Sequence, residues 1–284
     1  MTPLAPHLTA FLQQRLRVER GASEHTCQSY CYAFQLLLSF ASDKLKAAPS
    51  ALSLEQLDAP LVLAFLEHLE RVRGNSPQSR NVRLAAIKSF MRFVEHRVPP
   101  ALEQVRRVLA IPSKKSDCRL VGYLIRDEIQ AVLDAPDPTR RSGIRDRAML
   151  HLAFAAGLRV SELVGLRRDE LTFESHAVIR VRGKGRRERT LPLWKETSAA
   201  LRAWLKVRGD AGPPELFLND RGEPMTRSGF EYVLEKHAAV ASSKVPSIAK
   251  KRISPHVLRH SCAMNILQAT HDIRKVAVVD RAGS

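Results

Sequence analysis

The sequence predicts a mainly α-helical protein of two domains, with one small antiparallel sheet in the second domain. Three observations support this fold class. Apolar residues recur at spacings of three and four behind capping residues in the first third of the chain. Two short alternating segments, Ala177–Val181 and Arg189–Leu193, flank a Gly-Lys-Gly turn. Residues 108–118 place Pro112 among serine and lysine side chains, which indicates a linker.

We predict four helices in the first domain, which we place at residues 1–110. Ser23, Asp58 and Ser76 are capping residues at the starts of the second, third and fourth helices. The first helix is predicted at Leu8–Arg20 and ends at Gly21. The third helix ends near Gly74 and the fourth near His96. The predicted apolar residues are Tyr30, Phe34, Leu37 and Phe40 in the second helix, Leu63, Phe65 and Leu69 in the third, and Leu84, Ile87, Met91 and Val94 in the fourth.

The fourth helix also carries four basic residues, Arg80, Arg83, Lys88 and Arg92. Lys88 and Arg92 are four residues apart and therefore share a face of the helix. We predict that this basic group lies against the phosphate backbone of DNA. An ordinary solvated face agrees equally well with this helix taken alone.

The second domain, placed at residues 111–284, is predicted to be mostly helical around the two strands. Gly157 interrupts its second helix, and a short helix follows through Glu162 to Leu166. A turn is predicted at Asn219–Gly222. The remaining predicted helices are Arg126–Asp134, Arg141–Ala156, Trp194–Val207, Ser228–Val240 and Pro255–Ala269.

Charge and composition narrow the class of partner. The chain has 46 Lys and Arg against 29 Asp and Glu, a net charge of +17, which favours nucleic acid as the partner, although a merely basic protein agrees with the charge alone. No apolar run has the length of a membrane span, and the first residues lack the pattern of a secretory signal, so we expect a cytoplasmic protein without membrane contact. The four scattered cysteines, Cys27, Cys31, Cys118 and Cys262, favour a reducing compartment and neither disulfides nor a metal site.

Three short motifs carry residues suited to phosphate chemistry. In Gly157-Leu158-Arg159-Val160-Ser161-Glu162, Arg159 opens a helix and can fork two hydrogen bonds to a phosphate, while Glu162 can hold it. Lys184 stands between two glycines at a hairpin tip, from which its ammonium can reach a substrate. His256 and Arg259 share one face in the first turn of a helix. Each motif alone also agrees with an ordinary surface feature.

In this order and on these elements, the three motifs resemble the tyrosine recombinase (phage integrase) family. The resemblance implies a helical core-binding domain followed by a catalytic domain, and attack of a tyrosine on a DNA phosphate with loss of a 5′-hydroxyl. It implies that Arg159 and Arg259 hold the non-bridging oxygens, that Lys184 protonates the leaving oxygen, and that His256 is an acid–base group. Glu162 matches a supporting acidic position. Double-stranded DNA is the implied partner, bound by a homo-oligomer or together with full-length relatives, and no metal or other cofactor is implied.

The sequence departs from the family pattern after about Val276. Ala282 occupies the position of a family histidine, and none of the four tyrosines, Tyr30, Tyr32, Tyr123 and Tyr232, follows Arg259. We expect Tyr123 and Tyr232 to be packing residues rather than nucleophiles. Two hypotheses follow: a recombinase chain, incomplete at its C-terminus, that cannot cleave DNA without a tyrosine supplied in trans, or a DNA-binding protein that occupies recombination sites without cleaving them. A gene remnant that folds poorly is a third reading.

Overall fold

The structure is a computed structural model and describes residues 1–116, 122–174, 176–183 and 188–270. It is mainly helical with a three-stranded antiparallel sheet, which confirms the predicted fold class. The chain forms two compact units, Met1–Cys118 and Arg119–Ser284. Each unit has its own hydrophobic core. In the described part of the chain, no helix combines the length and the apolar content that crossing a membrane requires.

The described residues of the first unit form five α-helices, three of which begin at the predicted caps. The side-chain oxygens of Ser23, Asp58 and Ser76 each accept a hydrogen bond from the backbone N–H three residues later. Such caps satisfy backbone donors that the first turn of a helix cannot pair. The helices are α1 Leu4–Ala10, α2 Glu24–Leu45, α3 Ala59–Arg71, α4 Pro77–Glu95 and α5 Leu102–Leu109, and a π-helical segment, Phe11–Glu19, follows α1.

Three details of the first unit differ from the prediction. The first helix begins at Leu4 rather than Leu8 and becomes π-helical after Ala10. Helix α5 was not predicted, and its last residues extend into the segment predicted as a linker. Leu63, predicted on the apolar face of α3, is 48% exposed, because the buried face of α3 is formed by Leu61, Val62, Phe65, Leu66 and Leu69.

An aromatic cluster forms the centre of the first unit. The ring of Phe11 packs against the rings of Phe34 and Phe90 with centroids 6.0 Å and 5.5 Å away, both in edge-to-face geometry. The rings of Phe34 and Phe90 lie 5.5 Å apart. These rings come from the π-helical segment, α2 and α4, so their contacts tie three elements together.

In the described part of the second unit, six α-helices accompany the sheet. Its helices are α6 Arg126–Asp134, α7 Arg141–Ala155, α8 Val160–Val164, α9 Lys195–Arg208, α10 Arg227–Ser242 and α11 Pro255–Thr270. The strands are β1 Leu171–Thr172, β2 Val178–Arg182 and β3 Glu188–Pro192, in the order β1-β2-β3. Strand β1 was not predicted. Trp204 of α9 is fully buried in the core, and its indole Nε1–H donates to the carbonyl oxygen of Leu216 at 2.9 Å.

Candidate active site

A tight turn between α7 and α8 sets the position of Arg159. Gly157 has φ +54°, a left-handed conformation that costs a residue with a Cβ free energy. The backbone N–H groups of Gly157 and Leu158 donate back to the carbonyl oxygens of Phe154 and Ala153, each at 3.2 Å. Helix α7 therefore ends within two residues, and Arg159 follows in extended backbone at the start of α8.

Glu162 holds Arg159 through two hydrogen bonds. The backbone N–H of Arg159 donates to Glu162 Oε2 at 3.0 Å, and its Nη1 donates to Oε1, also at 3.0 Å. The Glu162 side chain is 5% exposed, whereas that of Arg159 is 29% exposed. The predicted pairing of Arg159 with Glu162 is thus present, and the Arg159 side chain is partly exposed.

A second arginine, which the sequence analysis missed as a site residue, binds the same carboxylate. Arg189 of β3 donates from Nη1 to Glu162 Oε1 at 3.2 Å and from Nη2 to Oε2 at 2.8 Å. Burial by itself would raise the pKa of Glu162, but the hydrogen bonds from Arg189 and Arg159 outweigh it, so this pKa lies below its ordinary value. The sequence contained a signal that could have identified Arg189 as a site residue. Arg189 alternates with Leu191 on the inward side of β3, where a charged residue needs a buried partner.

The third motif contacts the first through Arg259. Ser254 caps α11 by accepting from the backbone N–H of Val257 at 3.4 Å, so His256 and Arg259 both lie in the first turns of the helix. Arg259 is buried, and its Nη1 donates to the carbonyl oxygen of Gly157, two residues before Arg159. His256 is exposed on the same helix. The structure therefore brings the Arg159 and Arg259 segments into direct contact.

Lys184 lies outside the described residues. The strands on either side of it are described: β2 ends at Arg182 and β3 begins at Glu188, and these two residues pair in the antiparallel register. The predicted hairpin is thus present up to its turn. The position of Lys184 at the tip of this hairpin remains a prediction.

The predicted DNA-binding residues of α4 differ in their surroundings. Arg80 is buried and donates to the carbonyl oxygen of Pro112 at 3.3 Å, with its Nε 3.7 Å from Glu70 Oε2. The guanidinium of Arg83 lies over the ring of Tyr32, 4.8 Å from its centroid. Burial, together with the charges of neighbouring arginines, lowers the pKa of the half-buried Lys88. Arg92 is exposed, so the four basic residues do not form one solvated face.

Two further expectations concern tyrosines and cysteines. Tyr123 packs edge-on against the ring of His260, with centroids 6.4 Å apart, as expected of a packing residue. Tyr232 is 67% exposed, so the expectation that it packs was wrong. Cys27 and Cys31 are free thiols, Cys262 is buried, and Cys118 lies outside the described residues. Among the residues that the structure describes, no group of three or more His, Cys, Asp or Glu side chains is arranged to hold a metal ion.

Comparison with known proteins decides the family. The model of the phage integrase family matches residues 123–279, and that of the phage integrase N-terminal SAM-like domain matches residues 8–97. The chain belongs to the phage integrase family of tyrosine recombinases. This tyrosine recombinase is 48% identical to a Sinorhizobium fredii protein assigned as an integrase/recombinase, over 97% of the chain and 83% of that relative. It is 33% identical to the tyrosine recombinase XerC of Pelotomaculum thermopropionicum, over 95% of the chain and 87% of the relative.

Solved structures agree with the fold of this recombinase. The integrase of the transposon Tn1549, in complex with transposon right end DNA, superposes with a TM-score of 0.70, covering 98% of the chain and 91% of that structure at 17% identity. A lambda integrase dimer bound to a COC′ core site gives 0.68, covering 98% and 94% at 14% identity. At this level of identity the comparison establishes the fold alone.

Proposed function

We propose that the second unit of this recombination protein activates a phosphate of double-stranded DNA with Arg159, Lys184, His256 and Arg259, and that Glu162 supports Arg159. The observation that carries the proposal is the hydrogen bond from Arg259 to the carbonyl oxygen of Gly157, which joins two motifs 102 residues apart. Two arginine segments that meet in this way suit a single diester with two non-bridging oxygens.

The proposed chemistry is displacement at phosphorus. A nucleophile forms a bond to the phosphorus atom while the bond to the 5′-oxygen breaks, leaving the nucleophile on the 3′-phosphate and a free 5′-hydroxyl. Arg159 and Arg259 stabilise the charge that grows on the non-bridging oxygens. Lys184 donates the proton that the leaving 5′-oxygen takes up, and His256 positions the phosphate and exchanges protons.

The first unit is proposed to bind the DNA backbone through α4. In α4, Arg83 and Arg92 are the cations proposed to bind phosphates, and the half-buried Lys88 lies between them in the sequence. Burial leaves Arg80 a structural role beside Glu70. We propose that the protein acts in the cytoplasm, on double-stranded DNA, as a homo-oligomer or together with full-length relatives.

The nucleophile is a separate part of the proposal. The 284 residues contain four tyrosines, and all of them precede Arg259. We therefore propose that these residues activate the phosphate but need an added nucleophile, from a partner in trans or from solution. The same observation favours a second candidate function, a DNA-binding protein that occupies recombination sites without cleavage.

The test supplies a small nucleophile in place of tyrosine. The 284-residue chain first selects duplexes from a randomised pool. The selected duplex is then incubated with the chain and hydroperoxide, with a chelator present against metal-driven oxidation. We expect cleavage at one position, leaving a free 5′-hydroxyl, and a rate lower by about 100-fold or more in Arg159→Ala and in Arg259→Ala. Arg227→Lys is the control, because Arg227 pairs with Glu231 on the exposed surface of α10.

The outcomes separate the two candidates. Cleavage that depends on both hydroperoxide and Arg159 supports phosphate activation. Selective binding with no cleavage above the background of free DNA overturns activation and supports the second candidate. A chain that selects no duplex from the pool overturns both.

A further inference from the structure

We infer that Arg189 is a positioning residue for Arg159, acting through Glu162, and that it fixes strand β3 to the turn that carries Arg159. The inference deepens the proposed function and rests on it. Because Arg189 and Arg159 both bind Glu162, the effect of Arg189 passes through this shared carboxylate.

The geometry leaves Glu162 one orientation. Each of its two oxygens accepts one hydrogen bond from Arg159 and one from Arg189, with distances between 2.8 Å and 3.2 Å. A glutamate side chain rotates about three bonds, and a single partner leaves much of this freedom. The parallel donation from Nη1 and Nη2 of Arg189 removes it, because two bonds to one planar carboxylate fix both position and tilt. The guanidinium of Arg159 is then held by an acceptor that cannot turn.

The choice of arginine follows from its place in the sheet. Arg189 lies opposite Val181 of β2, which is fully buried, so its side chain stands on the inward side of the sheet. Its own side chain is only 16% exposed. A lysine there keeps the charge but offers one point of contact, so it cannot clamp both carboxylate oxygens in this way.

The contact also links two parts of the proposed site. Arg189 is the second residue of β3, and Lys184 lies five residues earlier in the sequence. Glu162 lies in α8, three residues after Arg159. The ion pair therefore ties the strand that follows Lys184 to the helix that follows Arg159. Removing it frees both segments, which predicts an effect on reaction rate larger than the effect on DNA affinity.

The experiment compares Arg189→Lys, Arg189→Met and the control Arg227→Lys in the hydroperoxide reaction, with duplex selected by the unaltered chain. Rates at saturating duplex and apparent affinities are measured separately. We expect both Arg189 variants to lose roughly 10- to 100-fold in rate, since a misplacement of about 1 Å can cost that much, and less than threefold in affinity. Urea unfolding is recorded for each variant to identify one that fails to fold.

A pH series gives a readout that loss of packing does not change. The Met variant removes a hydrogen-bonding cation from Glu162, so the pKa of this buried carboxyl rises. The rate ratio of Arg189→Met to the unaltered chain should then fall further as the pH is lowered, whereas the ratio for Arg189→Lys, which keeps the charge, should change less. The ionisation of hydroperoxide also changes with pH, but it affects the rates of the variant and of the unaltered chain equally and therefore cancels in their ratio.

Each result decides something. A rate deficit at saturating duplex in both variants, with a folded protein and the stated pH dependence, supports the inference. Equal rates in Arg189→Lys and the unaltered chain overturn it while leaving the proposed function intact, and so does a deficit confined to affinity. If the unaltered chain does not cleave, the proposed function fails and the inference falls with it.

Discussion

At the scale of single residues, three carboxylates in the described part of the second unit are buried beside basic partners. Glu128 accepts from Lys251 Nζ at 2.5 Å, and Asp146 accepts from His237 Nε2 at 2.9 Å with the imidazole as the donor. Glu162 is the third. For each, burial would raise the pKa, but hydrogen bonds to the charged form outweigh it and lower the pKa below its ordinary value. These groups therefore stay ionised in the folded protein at neutral pH.

Lowered pKa values make the second unit sensitive to acid. The ionised carboxylates stabilise the folded state fully at pH values above their ordinary pKa values, 4.5 for Glu and 3.8 for Asp. This stabilisation is lost as the pH falls below those values and through the lowered pKa values of the folded state. We expect the free energy of unfolding, from urea titrations at pH 7, 5, 4 and 3, to change little down to pH 5 and to drop below it. Glu128→Gln should show a smaller drop over the same range. A free energy that is constant from pH 5 to pH 3 would refute the prediction.

At the scale of elements, the segment 122–125 is fixed to helix α11. The backbone N–H of Leu124 donates to Ser261 Oγ at 2.8 Å, and the Asn265 side chain donates to the Leu124 carbonyl oxygen at 3.3 Å. Lys251 Nζ donates to the carbonyl oxygen of Tyr123 at 2.9 Å. This irregular segment, which follows the predicted linker, thus obtains its backbone partners from the helix of Arg259 and from the residues that precede it.

Ser261→Ala tests this attachment. Ser261 is fully buried, and its removal leaves the Leu124 N–H without its acceptor, which costs about 1–3 kcal/mol of stability. Ser242→Ala is the control, because the half-buried Ser242 lies near the end of α10 and its hydroxyl donates to the carbonyl oxygen of Ala239 in the same helix, a hydrogen bond that is exposed to solvent. Urea unfolding should show the loss for Ser261→Ala and a change below about 0.5 kcal/mol for Ser242→Ala. Equal changes in the two variants would contradict this account.

The elements also show what the sequence can predict. Caps such as Ser23 and Asp58 were predictable because the hydrogen bond that defines them spans three residues. Strand β1 was not, because it has two residues, too few for a pattern, and exists through its pairing with β2. The sequence predicted Arg159 and Arg259 as site residues from their motifs, and the alternation of Arg189 with Leu191 indicated an inward-facing arginine. That Glu162 is the partner of Arg189 could not be predicted, because it depends on how β3 packs against α8.

At the scale of the whole molecule, the net charge of +17 bears on binding rather than on fold. If DNA phosphates are the partner, binding releases counterions, and the logarithm of the affinity falls linearly with the logarithm of the salt concentration. We expect this in titrations of a duplex from 50 to 200 mM salt, with a slope reduced by about one in Arg92→Ala. Arg71→Ala, at an exposed arginine of α3, is the control and should keep the slope. Affinity that is independent of salt would show that DNA is the wrong partner.

The hydrogen bond between Arg259 and Gly157 has a consequence for biosynthesis. Its two residues are separated by 102 positions, so the acceptor is made long before its donor. At about 5–20 residues per second, a ribosome needs roughly 5–20 s to synthesise the intervening chain. During that interval the residues of the first unit and Gly157 have been synthesised, whereas Arg259 has not. The hydrogen bond therefore forms late in translation, and under the proposed function a nascent chain that has not reached residue 259 lacks one of the two arginines that activate the phosphate.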